Sequence, residues 1–462
     1  MVKRHKKIFR IGLLAGLLAA LMCFSAAALT EGDWEYSLLG NEVHLEKYIG
    51  SGGNVDVPSQ ISGAPVTKIN SACFNEIRND VNDVTSVHIP GTVKEIEHNA
   101  FLGAESIRSI SIDPGVVKIG SDAFNGDTSL EKINLPDTVT EIGDHLFRGC
   151  TNLTSVTLSK ELKEIPMGTF MDCESLRQVE LPPTLEIIDT TAFARAGLTE
   201  IKIPASVTVI HLQAFSNCDA LQKVEFQGAK LTDIGQLCFS GCSSLEEIYL
   251  PVSLKEIGGN AFKDCSSLTG MILPYGLNKV GNAIFSGCTG LEWVSAPSTL
   301  TSFFVSNFIG DQDDAVMVYC PAGSKAEESC QKAEISYKVD ASADSKIQVV
   351  YNGERISFAE YGQNPVLDNS RTLVPLRSIF EAMGASVEWD NDTQTAIASR
   401  GSTTVKITIG QNTLYKNGQA VSLDVPAKLI GGRTMVPVRA IAEAFNAEVG
   451  WVNAAQIVTI NE

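Results

Sequence analysis

Eleven cysteines, six histidines and a surplus of carboxylates are the groups in this 462-residue chain that could make it an enzyme or a metal protein. Zinc needs cysteine or histidine pairs roughly two to four residues apart, with a matching second pair. Only Cys238 and Cys242 come near that spacing, and Phe239 stands between them. Beyond Ala28 the histidines are His44, His88, His98, His145 and His211, which share no register and form no ligand-spaced pair. The acidic run Asp311-Gln-Asp313-Asp314 lacks the alternation of a calcium loop and reads as a solvated turn. No serine sits in a nucleophile elbow, and no glycine pattern leads a strand into a helix. The expectation is a non-catalytic chain with no metal and no other cofactor.

The cysteines inform through their spacing. Cys150, Cys173, Cys218, Cys242, Cys265 and Cys288 each stand three places after a phenylalanine. Those phenylalanines belong to a ladder: Phe74, Phe101, Phe124, Phe147, Phe170, Phe193, Phe215, Phe239, Phe262, Phe285 and Phe308, at a near-constant interval after a slightly longer first step. A period that tight marks a solenoid in which each repeat is one coil. One coil cannot bury its own apolar face, so coils must stack into a continuous core. Ala104 and Ala196 hold the slot that the six cysteines hold elsewhere, so that slot calls for a small buried group and the thiols should be buried and reduced. Cys73 and Cys238 fill the small position before the phenylalanine, taken by Ala100, Ala123 and Ala261 in other coils. Cys320 and Cys330 lie outside the register and are the pair whose bridging stays open.

The apolar frame of each coil is Leu130-Glu-Lys-Ile133-Asn-Leu135-Pro136, then Val139, Ile142 and Phe147, returning as Leu153, Val156, Leu158, Leu162, Ile165 and Phe170. This unit resembles the BspA-like class of leucine-rich repeats over residues 31 to 338, with Trp34-Glu-Tyr36 opening an N-terminal cap. The resemblance implies a curved, parallel-β leucine-rich repeat solenoid of the kind found on microbial surface proteins, often in adhesion. Repeat scaffolds carry many unrelated binding tasks, so the resemblance bears on fold more than on function.

Residues 1–28 have the form of a secretory signal peptide: Lys3, Arg4, Lys6, Lys7 and Arg10, then an apolar stretch from Ile11 to Phe24, then Ala26-Ala27-Ala28. That apolar stretch is too short to span a bilayer comfortably, so cleavage is expected. Met22 before Cys23 does not suit a lipoprotein signal. The net charge is -18. With the five leader cations removed and residues 346–462 nearly neutral at -1, the repeat region carries -22. Such a surface repels nucleic acid and anionic lipid.

Along each repeat strand, residues flanking the central Ile or Val face solvent. They are Lys132 and Asn134, Ser155 and Thr157, Gln178 and Glu180, Glu200 and Lys202, then Lys223 and Glu225. The last coils differ, presenting Tyr249, Ile272 and Trp293. Large aromatic and apolar groups on an exposed face mark contact surfaces. Tyr249, Ile272 and Trp293 are therefore the candidate ligand-contact residues, the alternative being that they pack under the domain that follows.

Val339-Asp-Ala-Ser-Ala-Asp-Ser345 is small and polar, as a linker would be. Beyond it Arg371-Thr-Leu-Val-Pro375-Leu-Arg377 returns as Arg433-Thr-Met-Val-Pro437-Val-Arg439, and Trp389 returns at the same offset as Trp451. Each half predicts a hairpin turning at Asn352-Gly353 or Asn417-Gly418. Each also predicts a short helix opening at Pro375 or Pro437 and ending at Gly384 or Asn446. Arg377 with Glu381 and Arg439 with Glu443 have ion-pair spacing. The pattern is similar to the copper amine oxidase N-terminal, or stalk-like, domain over residues 347–462. The internal repeat makes this a small α+β domain of two similar halves, and the resemblance implies a non-catalytic module, without the histidines that hold copper in the oxidases' separate catalytic domain.

The expected organisation is signal peptide 1–28, cap 29–75, repeats 76–338, linker 339–345 and stalk-like domain 346–462. The expected role is a secreted or cell-surface protein whose solenoid binds a protein or glycan partner on a host cell, neighbouring cell or wall. A wall-associated spacer with no specific ligand is the alternative.

Overall fold

A computed structural model describes residues 28–75, 83–303 and 316–462. Residues 1–27, nearly all of the expected signal peptide, Phe308 and the acidic run at 311–314 lie outside the described residues. A typical coil carries a longer strand, a proline turn, a two-residue strand and the phenylalanine turn, as in Lys132–Asn134, Pro136, Glu141–Ile142 and Phe147. Like stacks on like: Lys132, Ile133 and Asn134 pair in parallel with Ser155, Val156 and Thr157, while Ile119 pairs with Ile142. Two ladders of parallel strands result, one from each strand of the coil. The longer-strand ladder is interrupted around residues 177–180, where no strand forms.

Between the ladders the phenylalanine rings stack from Phe74 to Phe285 with centroids 4.6 to 6.2 Å apart. The open end is sealed by the antiparallel hairpin Trp34–Leu39 and Glu42–Tyr48. Tyr48 stacks on Phe74 at 5.5 Å and Trp34 meets the same ring edge-on at 5.7 Å. The residue two before each phenylalanine has a left-handed backbone although it is mostly not glycine: Asn99 at φ 58°, Asp122 at 57°, Leu237 at 56°. A β-carbon disfavours that conformation. Its amide reaches the next coil, as Asn99 N to Ser121 O at 3.0 Å and Leu237 N to Gly259 O at 3.0 Å, and this inter-coil bond holds it. Glycine is required elsewhere. At Gly143 and Gly258 a Cβ would lie 2.3 Å from the backbone nitrogen of Ser121 or Gln236 in the coil before.

The ten described cysteines are all buried, and none is in a disulfide, so Cys320 and Cys330 are not bridged. The six ladder thiols share one geometry. Each donates back to the carbonyl of the preceding coil's phenylalanine at 3.0 to 3.2 Å, as Cys218 Sγ to Phe193 O. Burial pushes the Cys218 thiol up to about 12. In the slot after Phe124 stands Asp127, which the sequence pattern did not single out; it accepts from the Ala104 amide at 2.9 Å.

After the coils, Met317–Cys320 and Tyr337–Val339 extend the sheet around the helix Lys325–Ala333, whose first turn is capped by the Ser324 side chain. The 339–345 segment, linker-like in composition, is a tightly held joint. It winds into a 3-10 turn, Ala341–Asp344, with Asp340 and Ser342 buried. Arg355 reaches in from the following domain to Asp340 at 2.7 Å and to Ser342 at 2.8 Å. Small polar side chains that suit a loose chain also let it pack closely once buried partners exist.

In the C-terminal domain the two repeated strands pair antiparallel about Val374 and Val436, with Leu373 opposite Pro437 and Pro375 opposite Met435. That register makes an approximate two-fold of the two halves. The helices are Leu376–Ala382 and Val438–Ala444, followed by left-handed Gly384 and Asn446. Their last carbonyls converge on one cation. Arg400 donates to Met383 O at 2.8 Å and Phe445 O at 3.2 Å, and pairs with Glu462 at 2.7 Å. A cation suits two helix C-termini. The strand Gln348–Tyr351 pairs in parallel with Ile457–Asn461, so the domain's first and last strands lie side by side. Of the two predicted helix-surface ion pairs, Arg377–Glu381 forms at 3.5 Å. Arg439 and Glu443 form none among the described residues, and Arg439 faces a cleft.

Candidate functional site

Outward alternation on the repeat strands holds through the middle coils, where Lys132, Asn134, Ser155 and Thr157 are exposed on either side of a buried centre. It fails near the end of the solenoid. Ile272 is 7% exposed and Ser295 is fully buried, although both occupy outward positions. The cover over Ile272 is the C-terminal domain: Val350, Ala455 and Ile457 form an apolar cluster with it, and Tyr249, Trp293 and Val452 pack on its edge. Val252 N also donates to Ala454 O at 2.9 Å.

Tyr249, Ile272 and Trp293 are thus brought together, and they line a cleft of about 660 Å³ between the last coils and the C-terminal domain. Gly270 makes the wall possible, since a Cβ there would stand 2.1 Å from the Trp293 ring. The other side is Val350 and Gly353. Sequence reasoning did not assign the cleft's carboxylates, Glu246, Glu247 and Glu292. Glu247 and Tyr249 flank the same strand centre, which was the available signal; Val350 and Gly353 had none, because only tertiary packing brings them there. The Tyr249 hydroxyl hydrogen-bonds Glu247. Desolvation by the surrounding protein raises the Glu247 pKa, opposed by the charge of Lys223. The cleft is an acidic, aromatic-walled recess.

No group of three or more His, Cys, Asp or Glu side chains that could hold a metal occurs among the described residues. No described helix is long and apolar enough to cross a membrane.

Stacked parallel coils with a shared apolar frame define the class as a leucine-rich repeat solenoid. Residues 67–197 and 186–312 match the BspA type leucine rich repeat region in six copies, and the chain belongs to that family. Residues 350–460 match the copper amine oxidase N-terminal domain. Both are non-catalytic modules. Residues 346–462 contain neither histidine nor cysteine, so this domain offers no donor set that suits copper.

Among solved structures, the chain is similar to a leucine rich cell surface protein from Faecalibacterium prausnitzii. The identity is 28% and the TM-score 0.44, covering 68% of this chain and 98% of that one. It is also similar to the pneumococcal vaccine antigen PcpA, at 18% identity and a TM-score of 0.44, covering 68% and 99%. A protease inhibitor of Brevibacillus choshinensis is 29% identical over 120 residues, 25% of this chain. The chain spans about a third of that relative's length, 35%.

Proposed function

We propose that this is an exported, non-catalytic adhesion or interaction protein. Its solenoid engages a partner on another cell or in the wall through the cleft walled by Tyr249, Ile272 and Trp293. The observation carrying this reading is that recess, where half-buried aromatics stand beside Glu246, Glu247 and Glu292. Carboxylates around an aromatic wall favour a basic protein segment, since Lys and Arg both pair with carboxylates and lie over aromatic faces. The acidic repeat region adds long-range attraction for such a partner. Export rests on the N-terminal residues, whose charges and apolar stretch have the form of a signal peptide.

The test is titration of the full-length protein with a Lys/Arg-rich peptide and with an acidic peptide of equal length. Saturable, salt-sensitive binding of the basic peptide is expected, weakened by about 2 kcal/mol or more in Trp293→Ala. The spacer alternative draws on the burial of Ile272 under the C-terminal domain and on the joint at Arg355 and Asp340. It predicts that Trp293→Ala loosens the junction and that neither peptide binds.

A further inference from the structure

The C-terminal domain contains one structural unit twice, and the two copies end differently. In the first copy Arg377 and Glu381 pair at 3.5 Å, and Glu381 also accepts the phenol hydroxyl of Tyr361 from the adjacent turn Ala359–Tyr361. Trp389 in that copy is half-buried against the domain core. In the second copy Leu423 matches Phe358, both buried in the core. The chain from there to Arg433 is three residues shorter than the stretch from Phe358 to Arg371, so the turn that carries Tyr361 has no counterpart and no hydroxyl is offered. Arg439 and Glu443, the counterparts of Arg377 and Glu381, form no ion pair among the described residues. Trp451, the counterpart of Trp389, is 37% exposed. All three line an open cleft of about 650 Å³ at the seam between the halves, whose other wall carries the ion pair of Arg371 with Asp424 at 2.6 Å. That size falls within the roughly 300 to 1,000 Å³ of ligand-binding pockets.

We propose that this cleft binds a neutral, hydroxyl-rich glycan. The first copy shows what the arrangement holds when the chain fills it: a hydroxyl-bearing ring, donating to the glutamate of an arginine–glutamate pair. The second copy keeps the arginine and the glutamate but presents them to solvent, beside an exposed indole. A pyranose meets each of these groups. Its C–H face lies against the flat apolar ring of Trp451. Its hydroxyls donate to Glu443 and accept from the fork of Arg439. The charge count selects against polyions, because Arg371 and Arg439 balance Asp424 and Glu443. This site lies apart from the solenoid cleft and stands independently of the reading given to that cleft.

The test is calorimetric titration of the full-length protein with tetra- and hexasaccharides of β-1,4-linked glucose and β-1,4-linked N-acetylglucosamine, with a tyrosine-rich peptide of similar length as the competing ligand class. Saturable binding to at least one saccharide series, tighter for the hexamer, is expected. Trp451→Ala and Glu443→Gln should each weaken it at least about tenfold with unchanged melting, since both side chains reach solvent. Trp293→Ala should leave it unchanged, which separates this site from the solenoid cleft. Absence of saccharide binding up to about 10 mM overturns the proposal. So does saccharide binding indifferent to both cleft variants, or binding of the peptide alone. If Trp451→Ala lowers the melting temperature, Glu443→Gln decides.

Discussion

The solenoid and the C-terminal domain are both built by repetition, but they finish the structure in opposite ways. The solenoid stacks its copies in a line, so every coil depends on two neighbours and the end needs a lid, supplied by Trp34 and Tyr48 over Phe74. The C-terminal domain folds two copies onto each other about Val374 and Val436, and ties their helix ends to one cation, Arg400. Linear stacking keeps most polar work in the backbone, coil to coil. Two-fold closure adds a side chain that bridges the halves, Arg400, which donates to a carbonyl at each helix end. Damage should therefore stay regional in the first and be shared across the whole domain in the second.

The largest expected effect comes from Phe193→Ala, which removes a fully buried ring stacked on both sides, at 5.1 Å from Phe170 and 5.2 Å from Phe215. A loss of about 3 to 5 kcal/mol is expected. Hydrogen exchange should rise first in the coils around residue 193 while the C-terminal domain keeps its protection. Equal loss of protection in the C-terminal domain would break the comparison.

Arg355→Ala probes the joint between the two regions, leaving Asp340 buried without its cation. About 3 kcal/mol or more is expected. Burial opposes ionisation of Asp340, but the charge of Arg355 and hydrogen bonds from Arg355, Ser342 and Ser357 outweigh it, so its pKa is lowered. A lowered carboxyl contributes stability that is present above its unfolded value, near about 4, and is lost as pH falls through the folded value. Melting of the intact protein should accordingly weaken below about pH 4 more steeply than that of the Arg355→Ala variant.

Arg400→Ala should cost about 2 kcal/mol, from two helix-end carbonyls and Glu462 left without their donor. The effect should be confined to the C-terminal transition in calorimetry, and a matching shift in the solenoid transition would show the two regions to be one cooperative unit.

Cys218→Ala is the smallest perturbation. It deletes one weak Sγ–H to Phe193 O bond in a slot that Ala104 and Ala196 fill elsewhere, so about 1 kcal/mol or less is expected. Thiol titration sharpens the same point. The cysteines should react slowly in the folded protein, with Cys218 raised to about 12, and readily after unfolding. A product locked in disulfides after anaerobic purification would contradict the buried ladder.

Periodic features were legible in the sequence because their physical cause is itself periodic. Phe193 and its companions, the alanine-or-cysteine slot and the return of Arg-Thr-x-Val-Pro all follow from stacking or pairing like on like. Local signals were legible as well: Asn352-Gly353 and Asn417-Gly418 turn with positive φ, and Gly384 and Asn446 end their helices. What tertiary structure alone decided are the places where distant segments meet. Nothing in the composition of 339–345 showed that Asp340 would lie buried against Arg355. Alternation correctly put Ile272 on the outer face, yet Val350, Ala455 and Ile457, from a different domain far along the chain, cover it. Equal spacing promised two ion pairs, and only Arg377–Glu381 closed; Tyr361, on a turn that the shorter second half lacks, accompanies that glutamate. Spacing fixes which side chains share a face; what lies against that face depends on contacts between segments far apart in the chain.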